Sequence, residues 1–481
     1  MSRPVDRSRR RPRRRPRWSG ASPFGDRGGL ALAALGLLVC HGCQTPESPL
    51  IAQRTATLYG EQRPWYESVD LADAPPTLGP AAAELSATPT LDDYLTHGLL
   101  HHAGLRAAFH RWRAAIEAVP QVSALPEPRL TYGRFVEQVQ TRTGPQRNRL
   151  GLSQTLPWWG KRSLRADVAG KRAEALWWRM QGVRLQVQRA IKRAYFEFAH
   201  LARERRLLER DLALVRGLER IVAGRVAVGA PQSDLLRLQV EIRRLEDRQQ
   251  SLEQLVPAVR GQLAAAMHRP TGQPLPVPEL TEPSVGHEPA EDLLRFCWQH
   301  NPQLRALRLQ VEASEVGREL AAREPWPDVT LGLDYLDTGG AVNPATRGSG
   351  DDPLALSVSF ALPIWRGKYA AARREALARN EAAVDDLFEA RAQLAADLEM
   401  AVYRRTDAAR RIGLYRDSLV PRARQALEVT DTSYRAGTVS VSELIDTEQT
   451  LLAFEQSYWR ACADYEQSAA DLEALCGGEI P

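Results

Sequence analysis

The feature that most constrains this chain is that it is written twice. Residues 149–162 read RLGLSQTLPWWGKR and residues 355–368 read ALSVSFALPIWRGK. Leu156, Pro157, Trp159, Gly160 and Lys161 stand against Leu362, Pro363, Trp365, Gly367 and Lys368, with an offset of 206 at the proline and 207 at the glycine. Residues 225–239 (RVAVGAPQSDLLRLQ) match 433–449 (SYRAGTVSVSELIDTEQ), which sets Gly229 against Gly437. A looser match pairs 91–115 with 291–313. Three matches in one order, about 200 residues apart, predict a tandem duplication. Whatever one half builds, the other builds again.

Within each half the hydrophobic period switches. It is helical over about 91–118 and 290–323, then turns to alternation: Leu130 and Tyr132 in one half, Val329, Leu331, Leu333 and Tyr335 in the other. After a polar, Gly-rich loop (136–147; 337–352) alternation resumes through Leu150, Leu152 and Leu156, and through Leu354, Leu356, Val358, Phe360 and Leu362. Each half thus predicts two strands of about ten residues, the length a tilted membrane strand requires. Long helical tracts follow at 161–228 and 368–435, each about 100 Å if unbroken. Return helices over 232–268 and 440–476 repeat apolar residues at sevens: Leu444, Leu451, Tyr458, Tyr465, Leu472, with Leu235, Ile242 and Val256 in the first half. Such a seam packs on neighbouring helices in the coiled-coil manner. The reversals fall at Gly229 and Gly437.

The N-terminus reads as an address. Residues 1–43 hold ten Arg and two acids, a net of +8, so the chain's overall +5 leaves −3 for the rest. The basic balance therefore belongs to the leader, and no nucleic-acid partner is expected. An apolar run of about a dozen residues ends at Cys40-His41-Gly42-Cys43, too short to span a membrane but right for a signal peptide. A small residue before Cys43 resembles a bacterial lipoprotein processing site, which makes Cys43 the expected lipid attachment. Cleavage nearby without acylation is the other reading, and export follows from either.

The full sequence has no later stretch of 18 apolar residues, so only a closed β-barrel is left to cross a membrane. Four strands cannot close one, and an open edge in lipid costs several kcal/mol per unpaired backbone group, by about the usual estimate. Three copies would supply twelve strands. Trp326 precedes the third strand and Trp365 follows the fourth; Trp158 and Trp159 mark the same end of the first hairpin. Aromatics there suit a membrane–water interface.

The duplicated pattern of helix, strand pair and long helix pair resembles the TolC-type outer-membrane efflux family across about residues 88–478, and its GAPQSDLL-type tip resembles the heavy-metal-export branch. LPWWGKR and LPIWRGK at the strand-to-helix junctions carry the likeness, with GAPQSDLLRLQVE and YRAGTVSVSELIDTEQ at the hairpin tips. The resemblance divides the chain into a signal peptide (1–43), an N-terminal linker (44–87) and two efflux repeats (88–282 and 283–478). It implies a mostly α fold with membrane β-hairpins: a homotrimer forming a 12-stranded β-barrel in outer-membrane lipid, continued into the periplasm by a long α-helical barrel. Function would be a passive conduit for metal cations or small toxic molecules, fed by a periplasmic adaptor and an inner-membrane efflux pump. It further implies adaptor-docking tips at Arg225, Val228, Gly229, Arg435 and Gly437, and aperture carboxylates at Asp234, Glu443 and Asp446. Asp234 follows its glycine by five residues where Glu443 follows by six. The alternative is a periplasmic coiled-coil adaptor or structural lipoprotein, although adaptors resemble one hairpin flanked by compact β-domains.

No P-loop, dinucleotide fingerprint, HExxH or nucleophile elbow occurs, so no enzyme and no cofactor is expected. His97 and His101 stand at i, i+4, with His102 and His110 nearby; two such histidines lack the further ligands of a closed metal site. Five Cys in 481 residues exclude a disulfide scaffold, and Cys297, Cys462 and Cys476 read as buried small residues.

Overall fold

The computed structural model describes residues 85–86, 88–286 and 290–478. The leader, Cys43 and nearly all of the 44–87 linker lie outside the described residues. In chain order the elements are α1 (Leu91–His101), α2 (Ala103–Ser123), β1 (Arg129–Thr141), β2 (Gly144–Leu156), α3 (Lys161–Val226) and α4 (Gln232–Ala266). Then come α5 (Ala290–His300), α6 (Pro302–Arg323), β3 (Val329–Thr338), β4 (Leu354–Phe360), α7 (Arg366–Leu414), a π-turn (Tyr415–Leu419), α8 (Val420–Arg435) and α9 (Val441–Cys476).

The four strands make one antiparallel sheet in the order β1-β2-β3-β4, leaving β1 and β4 as open edges. Leu130, Leu152, Leu333 and Leu356 stand abreast across it, and so do Tyr132, Leu150, Tyr335 and Leu354. Residues directly opposed on antiparallel strands share a face. One face therefore carries these eight with Leu156, Val329, Leu331, Val358 and Phe360, interrupted by Gln154, whose amide donates to the Pro126 carbonyl at 2.7 Å. The opposite face carries Arg129, Thr131, Gly151, Ser153, Thr155, Thr330, Gly332, Asp334, Ala355, Ser357 and Ser359. The apolar face is exposed, with Leu356 at 79%.

Two expectations about the strands need correction. The span 136–147 is not a loop: β1 and β2 run 13 residues each and reverse at Arg142-Thr143. Backbone pairing sustains them where apolar alternation has ended, so their polar ends left no signal. At Gly144 (φ 141°) an added Cβ would sit 1.6 Å from the Gly339 carbonyl oxygen, so the long loop after β3 closes over this turn only because it is glycine. In the second half β3 has 10 residues and β4 only seven, and Leu362 falls outside it.

The helices follow the seam of sevens. Leu444, Leu451, Tyr465 and Leu472 of α9 are buried, as is Ile242 of α4. Leu444 joins one core with Leu208, Leu212, Leu238 and Ile242. The second long tract is not continuous. Pro421 cannot donate a backbone hydrogen bond to the preceding turn, and the π-turn Tyr415–Leu419 lies just before it. The cysteine expectation is also corrected: Cys297 of α5 and Cys476 of α9, 179 residues apart and both fully buried, are disulfide-bonded, while Cys462 is free and buried.

Candidate functional site

Three places gather the residues singled out in the sequence: the strand-to-helix junctions, the hairpin tips and the first turns of the return helices. At the first junction Gly160 (φ 80°) turns the chain from β2 into α3. Lys161 is then buried, and its ammonium donates to the Trp326 carbonyl at 2.7 Å, the Glu324 carbonyl at 3.4 Å and Asp328 Oδ1 at 3.0 Å. Asp328 Oδ1 also accepts from the Trp158 amide at 3.0 Å. The Trp158 and Trp326 rings stack at 5.1 Å and 15°, and Trp159 meets Trp158 edge-on at 5.3 Å. One lysine thus ties the junction after β2 to the approach to β3. Trp159, Trp326 and Trp365 are exposed below the apolar face. Tyr132 and Tyr335 stand at its other limit, where Tyr132 donates to Asn148 and Asn148 to Asp337.

At the tips, Gly229 has φ 106° and Gly437 φ 78°, and a Cβ on either would meet nothing within 4 Å. The glycines serve backbone reversal, with open space around them. Val228 projects at 86% exposure. Arg435 pairs with Asp431 at 2.9 Å within its helix. Arg225 reaches across to the second hairpin, its guanidinium 4.6 Å above the Tyr434 ring and donating to the Tyr434 carbonyl at 3.5 Å. Arg237 donates to Ser442 Oγ, and Gln449 donates to Glu241 at 2.6 Å. Tyr434, Arg237, Ser442 and Gln449 escaped the sequence reading, because their partners lie more than 200 residues away.

Asp234 and Glu443 are each the third residue of their helix, although they stand five and six residues past their glycines. Ser440 caps α9 by accepting from the Glu443 amide at 3.3 Å, and both carboxylates lie in the favourable first turn. Glu443 and Asp446 are exposed; Asp234 is half-buried. Deeper in the bundle Glu448 is buried with neither carboxylate oxygen hydrogen-bonded. Burial, then repulsion from Asp211 and Glu241, pushes its carboxyl up to about 8. Burial also pushes Asp211 up to about 6.

Of the four histidines singled out in the sequence, His97 and His101 meet, while His102 and His110 serve elsewhere. His97 is buried and stacks on His101 at 4.5 Å; burial, then His101 and Arg269, push it down to about 4. His102 Nδ1 accepts from the Leu105 amide at 3.3 Å as a helix cap, and His110 lies against Phe109. Among the described residues no three His, Cys, Asp or Glu side chains form a metal-holding group, and no helix is long and apolar enough to cross a membrane.

The family model for outer membrane efflux proteins matches residues 294–478. The cobalt-zinc-cadmium resistance protein CzcC of Cupriavidus metallidurans is 22% identical over 407 residues, 82% of this chain and 91% of that protein. The second half of the chain carries the pattern of the outer membrane efflux proteins. In fold, the chain is similar to the outer membrane protein VceC of Vibrio cholerae, with TM-score 0.65 and 20% identity over 81% of this chain and 96% of that one. It is equally similar to the open state of the MtrE outer membrane channel of Neisseria gonorrhoeae, with TM-score 0.65 and 18% identity over 84% and 96%. A helical body carrying a small antiparallel sheet is common ground with these outer-membrane proteins.

Proposed function

We propose that this protein is the outer-membrane channel of a tripartite efflux system, a passive trimeric conduit that accepts substrates from a periplasmic adaptor and an inner-membrane pump. The observation that carries this is the sheet: two open edges, one face apolar save for Gln154, the other mostly small or polar, joined directly to a 66-residue helix. Lipid is the one surrounding that makes such an exposed face favourable, and closure is what lipid demands of the edges. Three protomers give twelve strands, with the apolar face outward, the Arg129, Thr131 and Ser357 face lining the lumen, and Trp159, Trp326 and Trp365 at the periplasmic interface. The two efflux repeats (88–282 and 283–478) each supply a hairpin of strands and a hairpin of helices. The leader directs export, and Cys43 carries a lipid that adds an anchor.

The tips around Gly229 and Gly437, with Arg225, Val228 and Arg435, meet the adaptor. Glu443 and Asp446 from three protomers ring the periplasmic aperture with six carboxylates, and Asp234 lies at the corresponding helix turn of the first hairpin. Likeness to a protein named for cobalt-zinc-cadmium resistance makes metal cations the first candidate cargo and organic toxins the second. The test is a deletion strain complemented with the chain and challenged with cobalt, zinc and cadmium salts and with organic toxins. Restored metal tolerance supports the first cargo. Unrestored tolerance to both, with the protein correctly inserted, counts against an export role.

A further inference from the structure

The junction lock and the hairpin registers together specify how one protomer meets the next, an inference that rests on the barrel reading above. In the first hairpin Arg129 faces Ser153, and in the second Thr330 faces Ser359. The second pairing is the first displaced by 201 residues on the leading strand and 206 on the following one. Those displacements are also the ones the sequence prints: Pro126-Glu127 recurs 201 residues later as Pro327-Asp328, and Leu156-Pro157 recurs 206 later as Leu362-Pro363. The turn into the helix repeats too. The Lys161 amide donates to the Trp158 carbonyl and the Lys368 amide to the Trp365 carbonyl, each at 3.1 Å.

The contact between the two hairpins, β2 on β3, has no counterpart inside the protomer. It sets Gln154 opposite Leu331 and Leu152 opposite Leu333, with Lys161 locked on Asp328. The equivalent of β2 is β4, and the equivalent of β3 is β1, both of them open edges. We propose that β4 pairs with β1 of a second copy in this same register, with Phe360 opposite Leu130 of the partner subunit and Val358 opposite Tyr132 of the partner subunit. Lys368 then locks on Glu127 of the partner subunit as Lys161 locks on Asp328.

Two observations independent of the register agree. Phe360, Val358, Leu130 and Tyr132 all belong to the apolar face, so this pairing continues that face across the subunit boundary. A shift of one residue would put apolar side chains in the lumen. Lys368 and Glu127 are both exposed, and neither makes an ion pair among the described residues, unlike their counterparts Lys161 and Asp328. Glu127 has no other hydrogen bond there, and Lys368 lies only near the Tyr369 ring, 5.7 Å away.

The test uses the full-length protein in outer membranes. With Tyr132→Cys and Val358→Cys in one chain, oxidation yields covalent dimers and trimers on non-reducing gels. With Tyr132→Cys and Leu354→Cys, four residues out of register, it yields none. Separately, Lys368→Glu makes the trimer dissociate at lower temperature, and adding Glu127→Lys restores it; a merely local role for Lys368 would give no restoration. Crosslinking by the out-of-register pair, or a charge swap that fails to restore, overturns the register or the lock while leaving a trimer visible by mass. Absence of any trimer overturns the barrel reading itself, so the two failures are told apart.

Discussion

At the scale of single residues, Lys161 shows how a motif letter acquires a reason. Its ammonium is almost fully buried, and two carbonyls and one carboxylate hold it. Replacing it with Met leaves Asp328 without its cation. Because Asp328 is itself 36% exposed, we expect a cost of about 1–3 kcal/mol rather than that of a deeply buried pair. The measurement is heat dissociation of the extracted protein, with tryptophan fluorescence reporting loosened Trp158–Trp326 stacking. Glu448 gives the second prediction at this scale. Its folded carboxyl, pushed up to about 8, holds a proton that an unfolded chain releases near the ordinary glutamate range. Its contribution is complete below that range and lost as pH rises through about 8. Unfolding midpoints should therefore fall between about pH 5 and 8, and less steeply in Glu448→Gln, which should be the more stable protein at the alkaline end. An unchanged slope would mean that solvent reaches this carboxylate in the assembly.

At the scale of elements, much was legible. Seven-residue repetition marked α4 and α9 because a helix packed along its whole length needs a continuous seam. The tip glycines were legible because a tight reversal with positive φ leaves few other choices. What stayed hidden has a common cause, since it depends on partners far away in sequence. Asp328 lies 167 residues from Lys161, and Cys476 lies 179 from Cys297, and no spacing rule links either pair. The polar ends of β1 and β2 were hidden differently, because strand alternation is visible only where one face is apolar. The five-against-six discrepancy at the tips vanished once helix starts replaced glycines as the reference. Gly229→Trp and Gly437→Trp belong to this scale. Open space surrounds both positions, so the fold bears only a left-handed backbone penalty of roughly 1–2 kcal/mol. We expect export to be lost with trimer yield unchanged, read by toxin or metal accumulation beside a native gel. Full export with both substitutions would falsify the docking role.

At the scale of the whole molecule, the sheet explains why a single chain is an incomplete object. Among the described residues its edges have no partners and its apolar face has no cover, while in the proposed assembly the helices would supply a periplasmic tunnel wall rather than a core for the strands. The proposed aperture would be a property of the assembly too. Six exposed carboxylates from Glu443 and Asp446 would favour cations, so the double change to Ala should move the reversal potential of a planar bilayer toward neutrality. An unmoved potential would take these residues out of the aperture. The proposed channel requires three copies to close one barrel, and the mass of the mature protein extracted from outer membranes in mild detergent tests that most directly. A stable trimer carrying both strand and helix signals is the expected result. A monomer that stays soluble without detergent would contradict the barrel, because its apolar sheet face would then have to be covered by something other than lipid.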